Sequence, residues 1–219
     1  MPAAAFFDLD GTLLTVNSAR LWLRRERRRG RVSAWQLARA LVMLGSYHVG
    51  VLDMEAALRA GLRPVRGVSE EWIRAETRAW WEEDVRPFIA PGARAVLDGH
   101  RAAGDLLVLL TSSSRYAAEM AREEFGLEHG LFQVYEVCDG CLTGEPVLPI
   151  CYGPGKVAIA ERWAREHEVD LAASSFYSDS STDLPMLERV GHPFVVGPDP
   201  RLRVVARSRG WPILDWSRP

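Results

Sequence analysis

Five apolar residues, Ala3-Ala4-Ala5-Phe6-Phe7, run straight into Asp8-Leu9-Asp10-Gly11-Thr12. An apolar run of this length reads as a strand buried on both faces, and it ends on two carboxylates either side of one leucine, followed at once by a turn glycine. Buried acids are a poor way to close a core, because each charge loses its hydration unless something compensates it. They are a good way to hold a divalent cation beside an electrophile. Chemistry at the end of the first strand is therefore the leading expectation.

With 219 residues, 47% of them hydrophobic and 26% charged, the chain can bury a full core and leave room for a smaller insert. The net charge of −2 gives no global reason to expect nucleic acid or an anionic membrane as partner. No apolar stretch approaches the ~20 residues needed to span a bilayer, and no basic segment precedes Ala3, so the N-terminus reads as a strand and not a signal peptide. Three cysteines, an odd number, fit free thiols in a reducing compartment, and a cytoplasmic location is expected.

Charge is unevenly placed. From Thr15 to Arg86 there are 14 arginines against 9 acids, while the rest of the chain is net acidic. This stretch also holds five of the eight tryptophans and a helical pattern throughout. A first helix carries Ala19, Trp22 and Leu23 and stops at Gly30; a second runs from Ser33 to about Gly45. A third follows Asp53, and a fourth opens at Ser69 and ends before Pro87. The run from Arg24 to Arg31 reads either as a solvated helix end or as a contact for an anionic substrate, lipid surface or nucleic acid. After Pro91-Gly92 short apolar strands alternate with helices: strands at Leu106 to Leu110, Phe132 to Val137, Leu171 to Tyr177 and Pro193 to Val196, with a hairpin around Asp139-Gly140. The organisation expected is a core of residues 1–14 and 88–219, an α/β parallel sheet covered on both faces, interrupted by a helical insert over 15–87.

In such sheets the working residues lie just beyond the carboxyl ends of the strands. Here those positions hold Asp8 and Asp10, then Thr111-Ser112-Ser113, then Ser178-Asp179-Ser180-Ser181-Thr182-Asp183. Lys156, the only lysine against 26 arginines, sits at a glycine-rich helix start. These are the parts of a phosphoryl-transfer site. Asp8, Asp179 and the backbone carbonyl of Asp10 offer hard oxygen donors for Mg²⁺. Thr111, Ser112 and Lys156 would hold the phosphate oxygens. Asp8 is the candidate nucleophile, Asp10 the candidate acid and base, and Asp183 a partner for metal-bound water or Lys156.

Taken in order, Asp8-Leu9-Asp10-Gly11-Thr12, Thr111, Lys156 and Tyr177-Ser178-Asp179-Ser180-Ser181-Thr182-Asp183 resemble the haloacid dehalogenase superfamily, and the match spans the chain. The resemblance implies a three-layer Rossmann-like core, Mg²⁺ as cofactor held by Asp8, Asp10 and Asp179, and the same roles for each residue as above. The second acid, Asp10, places the chain with phosphatases and phosphotransferases. The insert looks like the all-helical cap of the phosphoserine-phosphatase-like branch, as do Val137-Cys138-Asp139-Gly140, Leu142-Thr143-Gly144 and Gly153-Pro154-Gly155-Lys156. Asn17 stands where that branch carries an amine-binding glutamate, with Arg20 close by. The expected activity is hydrolysis of a small or lipid-derived phosphate monoester, such as a glycerol phosphate or a phospholipid head group. Phosphoserine phosphatase proper is the alternative, as is a receiver-like regulatory protein phosphorylated without turnover.

Other signals point elsewhere. Cys138-Asp139-Gly140-Cys141 has the spacing of half a zinc finger, with Cys151, His129 and His167 as the further ligands on offer. Of five histidines none follows an expected catalytic strand except His192, which would open the last strand of the series. Ser112 to Ser114 lack an esterase elbow, and Gly153 to Lys156 lack the spacing of a nucleotide P-loop.

Overall fold

A computed structural model describes residues 2–35, 38 and 54–217. Six parallel strands form the central sheet: β1 (Ala4–Phe7), β2 (Leu106–Ser114), β3 (His129–Gln133), β6 (Ser175–Ser178), β7 (His192–Val196) and β8 (Ile213–Leu214). Their spatial order is β3-β2-β1-β6-β7-β8. The chain thus builds outward from β1 in one direction, then returns to its other side and builds the opposite way. The reversal falls beside β1, where doubly wound sheets bind their ligands.

Every residue of β1 is buried, which is why the strand is uniformly apolar. Ala5 and Phe7 face one layer, packing with Leu107, Leu109 and the apolar sides of α4 (Ala93–Ala103) and α5 (Arg115–Phe125). Ala4 and Phe6 face the other, with α6 (Pro154–Glu166), α7 (Leu184–Arg189) and α8 (Pro200–Arg209). Helices on both faces complete three layers.

Between β1 and β2 the chain inserts a helical cap containing α1 (Ser18–Arg28), α2 (Met54–Leu62) and α3 (Glu70–Trp80), continued by a π-helical turn over Trp81–Val85. Asn17 and Ser69 cap α1 and α3 through their side chains. Most of the arginine run is neutralised inside this unit: Arg25 pairs with Glu83 and Asp84, Arg28 with Asp84, Arg29 with Glu76, and Arg31 with Glu26 and Glu76. Arg24 and Arg27 remain exposed. The helix expected from Ser33, and His48 beyond it, lie largely outside the described residues.

The hairpin of β4 (Tyr135–Cys138) and β5 (Cys141–Pro146) stands apart from the main sheet and clasps the start of α3. Leu142 exchanges backbone hydrogen bonds with Gly67 and Val68, and Glu70 N donates to Gly140 O. Ile73 of the cap, Tyr116 of α5 and Leu142 form a small core at this seam.

Four expectations need correction. The strand expected over Phe132 to Val137 is two strands, because the chain leaves the sheet at Gln133, whose buried amide bonds Val134 O and Val147 O at the exit. The strand expected from Leu171 begins only at Ser175, since Asp170 caps a single 3-10 turn over Leu171–Ala173. His192 opens β7, which is followed by β8 and so is not last. The helix α8 was not expected, although Asp199-Pro200 is a strong start signal and Gly210 a strong stop.

Candidate functional site

Adjacent parallel strands lie about 4.8 Å apart, so the carboxyl ends of β2, β1 and β6 bring Thr111, Asp8 and Ser178-Asp179 together from positions up to 171 residues apart in sequence. Asp8 N donates to Tyr177 O at 2.9 Å, tying the first acid to the neighbouring strand end. From α6, Lys156 reaches into the same place. It is 2% exposed, and its Nζ lies 2.8 Å from both Asp8 Oδ1 and Asp183 Oδ2. Ser178 Oγ donates to Asp183 Oδ2 at 2.7 Å, while Asp183 Oδ1 is buried and has no hydrogen-bond partner among the described residues.

Asp179 lies against Gly11. That glycine has φ of +75°, and a Cβ there would overlap the Asp179 carboxylate, so both the turn after Asp10 and the approach of the third acid require glycine. The loop carrying Asp179 is braced from behind by Asp199: its N–H donates to Asp179 O at 2.9 Å, and its carboxylate accepts from Ser181 N at 2.6 Å and from Leu202 N at 2.8 Å.

Asp10 points the other way, toward the cap. Ser18 N donates to its Oδ1 at 2.8 Å, and Ser113 Oγ and Asn17 Nδ2 reach Oδ2 at 3.3 and 3.5 Å. Asn17 also caps α1, accepting from Arg20 N at 3.1 Å. The Arg20 side chain is exposed. Thr111 is buried and accepts from Ser113 N at 3.1 Å, and Ser112 beside it is half-buried.

Of the four carboxylates, only Asp8 and Asp183 pair with the one ammonium. Burial pushes Asp8 up from 3.8 to about 7 despite the opposing pull of Lys156, with Asp183 and Asp10 adding to the rise. Asp179 is pushed well above the usual carboxylate range by burial and then by Asp8, Asp183 and Asp10. Burial also raises Asp10, against the hydrogen bonds from Ser18 and Ser113. For Lys156 burial works against the charge, but Asp183 and Asp8 outweigh it and hold the ammonium well above its ordinary value.

Among the described residues no three His, Cys, Asp or Glu side chains form a ready-made metal cage. The expected donor set is of another kind, two carboxylates and a backbone carbonyl. An under-neutralised acid cluster with an orphan Asp183 oxygen fits a hard divalent cation completed by water and substrate. Cys138 and Cys141 face each other across the tip of the hairpin, and Cys151 is buried with its Sγ toward Leu131 O. His129 and His167 pack on Trp163, so the zinc reading has no support in the geometry.

Two contributors carry weak sequence signals and a third a clear one. Ser113 sits in a polar run whose members look alike, Ser178 reads as part of a loop, and Asp199 would have been found by its Asp-Pro helix start.

A family model for haloacid dehalogenase-like hydrolases matches residues 5–188. A histidinol-phosphatase of Neisseria meningitidis is 30% identical over 99% of this chain and 100% of its own length. A phosphoserine phosphatase of Mycobacterium tuberculosis is 33% identical over 99% of this chain and 71% of its own. A solved structure from Bordetella pertussis, of a protein with unknown function, superposes with a TM-score of 0.89 at 32% identity, covering 99% of both chains. With the acids, the lysine and the helical cap in these places, the chain belongs to the haloacid dehalogenase-like hydrolases, in their phosphoserine-phosphatase-like branch, and is a phosphatase.

Proposed function

We propose that the chain hydrolyses a small phosphate monoester through an aspartyl-phosphate on Asp8, with Mg²⁺ as cofactor. The observation that carries this reading is the buried triangle of Asp8, Lys156 and Asp183, with both ion-pair distances at 2.8 Å, set directly beside Asp10 and Asp179. Mg²⁺, held by Asp8, Asp179 and the carbonyl of Asp10, would neutralise phosphate charge and make up the deficit among the four acids. Lys156 holds Asp8 in place and adds the remaining positive charge. Thr111, Ser112 and the N–H groups entering α5 receive the phosphate oxygens. Asp8 attacks phosphorus while Asp10 protonates the leaving alcohol; Asp10 then deprotonates the water that releases phosphate. Asp183 orients Lys156. The units that carry out these steps are a core of 1–14 and 88–219 and a cap over 15–87, which closes over the site to exclude bulk water.

The relatives shift the substrate away from the lipid-derived esters and toward phosphoserine phosphatase proper or a near relation of it. Phosphoserine and histidinol phosphate are both monoesters of an alcohol bearing an amine on the adjacent carbon, and we assign this class to the chain. Asn17 uses its amide oxygen to cap α1 and carries no charge to offer the amine. Three free thiols suit a cytoplasmic setting, and no helix among the described residues is long and apolar enough to cross a membrane.

A panel of phosphomonoesters with Mg²⁺ tests this reading. Phosphoserine or histidinol phosphate should outrun the glycerol phosphates and lysophosphatidate, and Asp8→Asn should abolish turnover. Preference for lysophosphatidate would restore the lipid-derived class. Stable labelling of Asp8 with no turnover of any ester would point to a receiver-like protein instead.

A further inference from the structure

The hydrogen bonds on Asp10 are asymmetric, and the asymmetry assigns a role to Ser113. Oδ1 is met by the Ser18 backbone N–H at 2.8 Å, a group that only donates, so a proton on Asp10 has to sit on Oδ2. Oδ2 is met by Ser113 Oγ at 3.3 Å and, at the limit of hydrogen bonding, by Asn17 Nδ2 at 3.5 Å. The amide of Asn17 can only donate through that nitrogen. A hydroxyl both donates and accepts, so Ser113 can stay bonded to Oδ2 whether or not the proton is there. Ser113 stands on β2 of the core, and its Oγ lies 3.4 Å from Ser18 Oγ at the start of the cap. The oxygen that carries the proton is therefore aimed from the core side by one serine, which another serine links to the cap.

Building on the acid and base role proposed above for Asp10, we infer that Ser113 is a positioning residue for leaving-group protonation, holding Asp10 Oδ2 toward the ester oxygen. In the first step the bond from Asp8 to phosphorus forms, the bond from phosphorus to the ester oxygen breaks, and the Oδ2 proton passes to that oxygen. In the second, a water oxygen bonds phosphorus, the Asp8 ester bond breaks, and the water's proton returns to Oδ2. Ser113 contributes direction to both transfers and touches neither phosphorus nor the leaving group.

Leaving-group dependence separates this role from a merely structural one. Alkyl esters such as phosphoserine leave as an alkoxide unless protonated, whereas p-nitrophenolate is a stable anion that leaves without a proton. With the full chain and Mg²⁺, kcat/KM reports the first transfer. Ser113→Ala should lower kcat/KM about tenfold for phosphoserine and change it by no more than about twofold for p-nitrophenyl phosphate. Ser113→Thr, which keeps the hydroxyl, should recover most of the loss. In an Asp10→Asn background Ser113→Ala should have no further effect on phosphoserine. Equal losses for both esters, no loss for the alkyl ester, or a threonine variant no better than alanine would each overturn the inference. If Ser113→Ala does not fold, Ser113→Val against Ser113→Thr makes the same comparison at equal shape. If another alkyl ester of the panel is turned over faster than phosphoserine, it takes phosphoserine's place in the comparison; wild-type protein that turns over no ester of the panel would instead overturn the phosphatase reading itself, and the inference with it.

Discussion

Replacing Lys156 by methionine removes the one ammonium from the site while keeping most of its volume. The side chain is 2% exposed and pairs with Asp8 and Asp183 at 2.8 Å each. Removing one partner of a buried pair costs about 3–5 kcal/mol, because the other charge is left uncompensated. Here Asp8 has an escape: at about 7 it already takes up a proton far more readily than an ordinary carboxyl at 3.8. A carboxyl whose folded value lies above its unfolded one binds more protons when folded. Its contribution to stability is complete below the unfolded value and is lost as pH rises through the folded value. Without Lys156 that folded value climbs further, so the difference between variant and wild type widens toward alkaline pH. In metal-free buffer Lys156→Met should fall ~3 kcal/mol below wild type near pH 8 and by less near pH 5, where a proton relieves Asp8 and only Asp183 is left without its partner. For a chain of this size that corresponds to a deficit of ~6–12 °C in melting temperature at the higher pH. Thermal melts at both pH values measure it. A deficit that is constant with pH, or larger at pH 5, would show that uncompensated charge is not what Lys156 relieves.

Gly11→Ala should cost ~1–2 kcal/mol for its positive φ alone and should also displace Asp179, whose carboxylate occupies the space a methyl group needs. Mg²⁺ at a hundred times its dissociation constant should stabilise wild-type protein by ~2.7 kcal/mol; the alanine variant should show little of that gain, and an undiminished gain would remove Asp179 from the metal site. Inorganic phosphate should bind at least about tenfold more tightly with Mg²⁺ than in chelator, since a dianion entering an acid-rich pocket needs the cation's charge. Isothermal titration with and without Mg²⁺ checks this, and equal affinities would mean that Lys156 and the backbone donors suffice.

The chain discloses its candidate site more readily than its boundaries. Asp8, Asp10, Asp179 and Asp183 follow strands, Lys156 stands at a helix start, and Thr111, expected just beyond a strand ending at Leu110, lies within the last four residues of β2; a parallel sheet has no choice but to bring its strand ends together. That part needs only the order of strands and helices. The exits from the sheet are harder, because Gln133 and Asp170 end or delay strands through side-chain bonds to backbone groups that no hydrophobic pattern registers. The helix α8 hides for a different reason: its surface is so rich in arginine that periodicity fails, and only Asp199 and Gly210 mark it. The arginine run in α1 reads from sequence as either a solvated helix end or a contact for anions; its partners Glu76, Glu83 and Asp84 lie some fifty residues on, and pairing at that distance leaves no trace in local composition.

The same separation explains why Asp10 faces the cap and Asp8 the core. Two residues along an extended chain would present both carboxylates to one face, but Gly11 turns the chain at once, and Ser18 N, at the first turn of α1, draws Asp10 toward the insert. Asp8 is meanwhile fixed by Lys156 from α6 and by the backbone of β6. One acid is thus referenced to the rigid sheet and the other to the cap, which in the proposed function admits and releases substrate. The nucleophile proposed at Asp8 has to be placed to a fraction of an ångström against phosphorus, which suits the sheet. A proton donor has to meet a leaving group that differs from one substrate to another, and a carboxylate held at the seam between cap and core by Ser18 and Ser113 is in position to follow it.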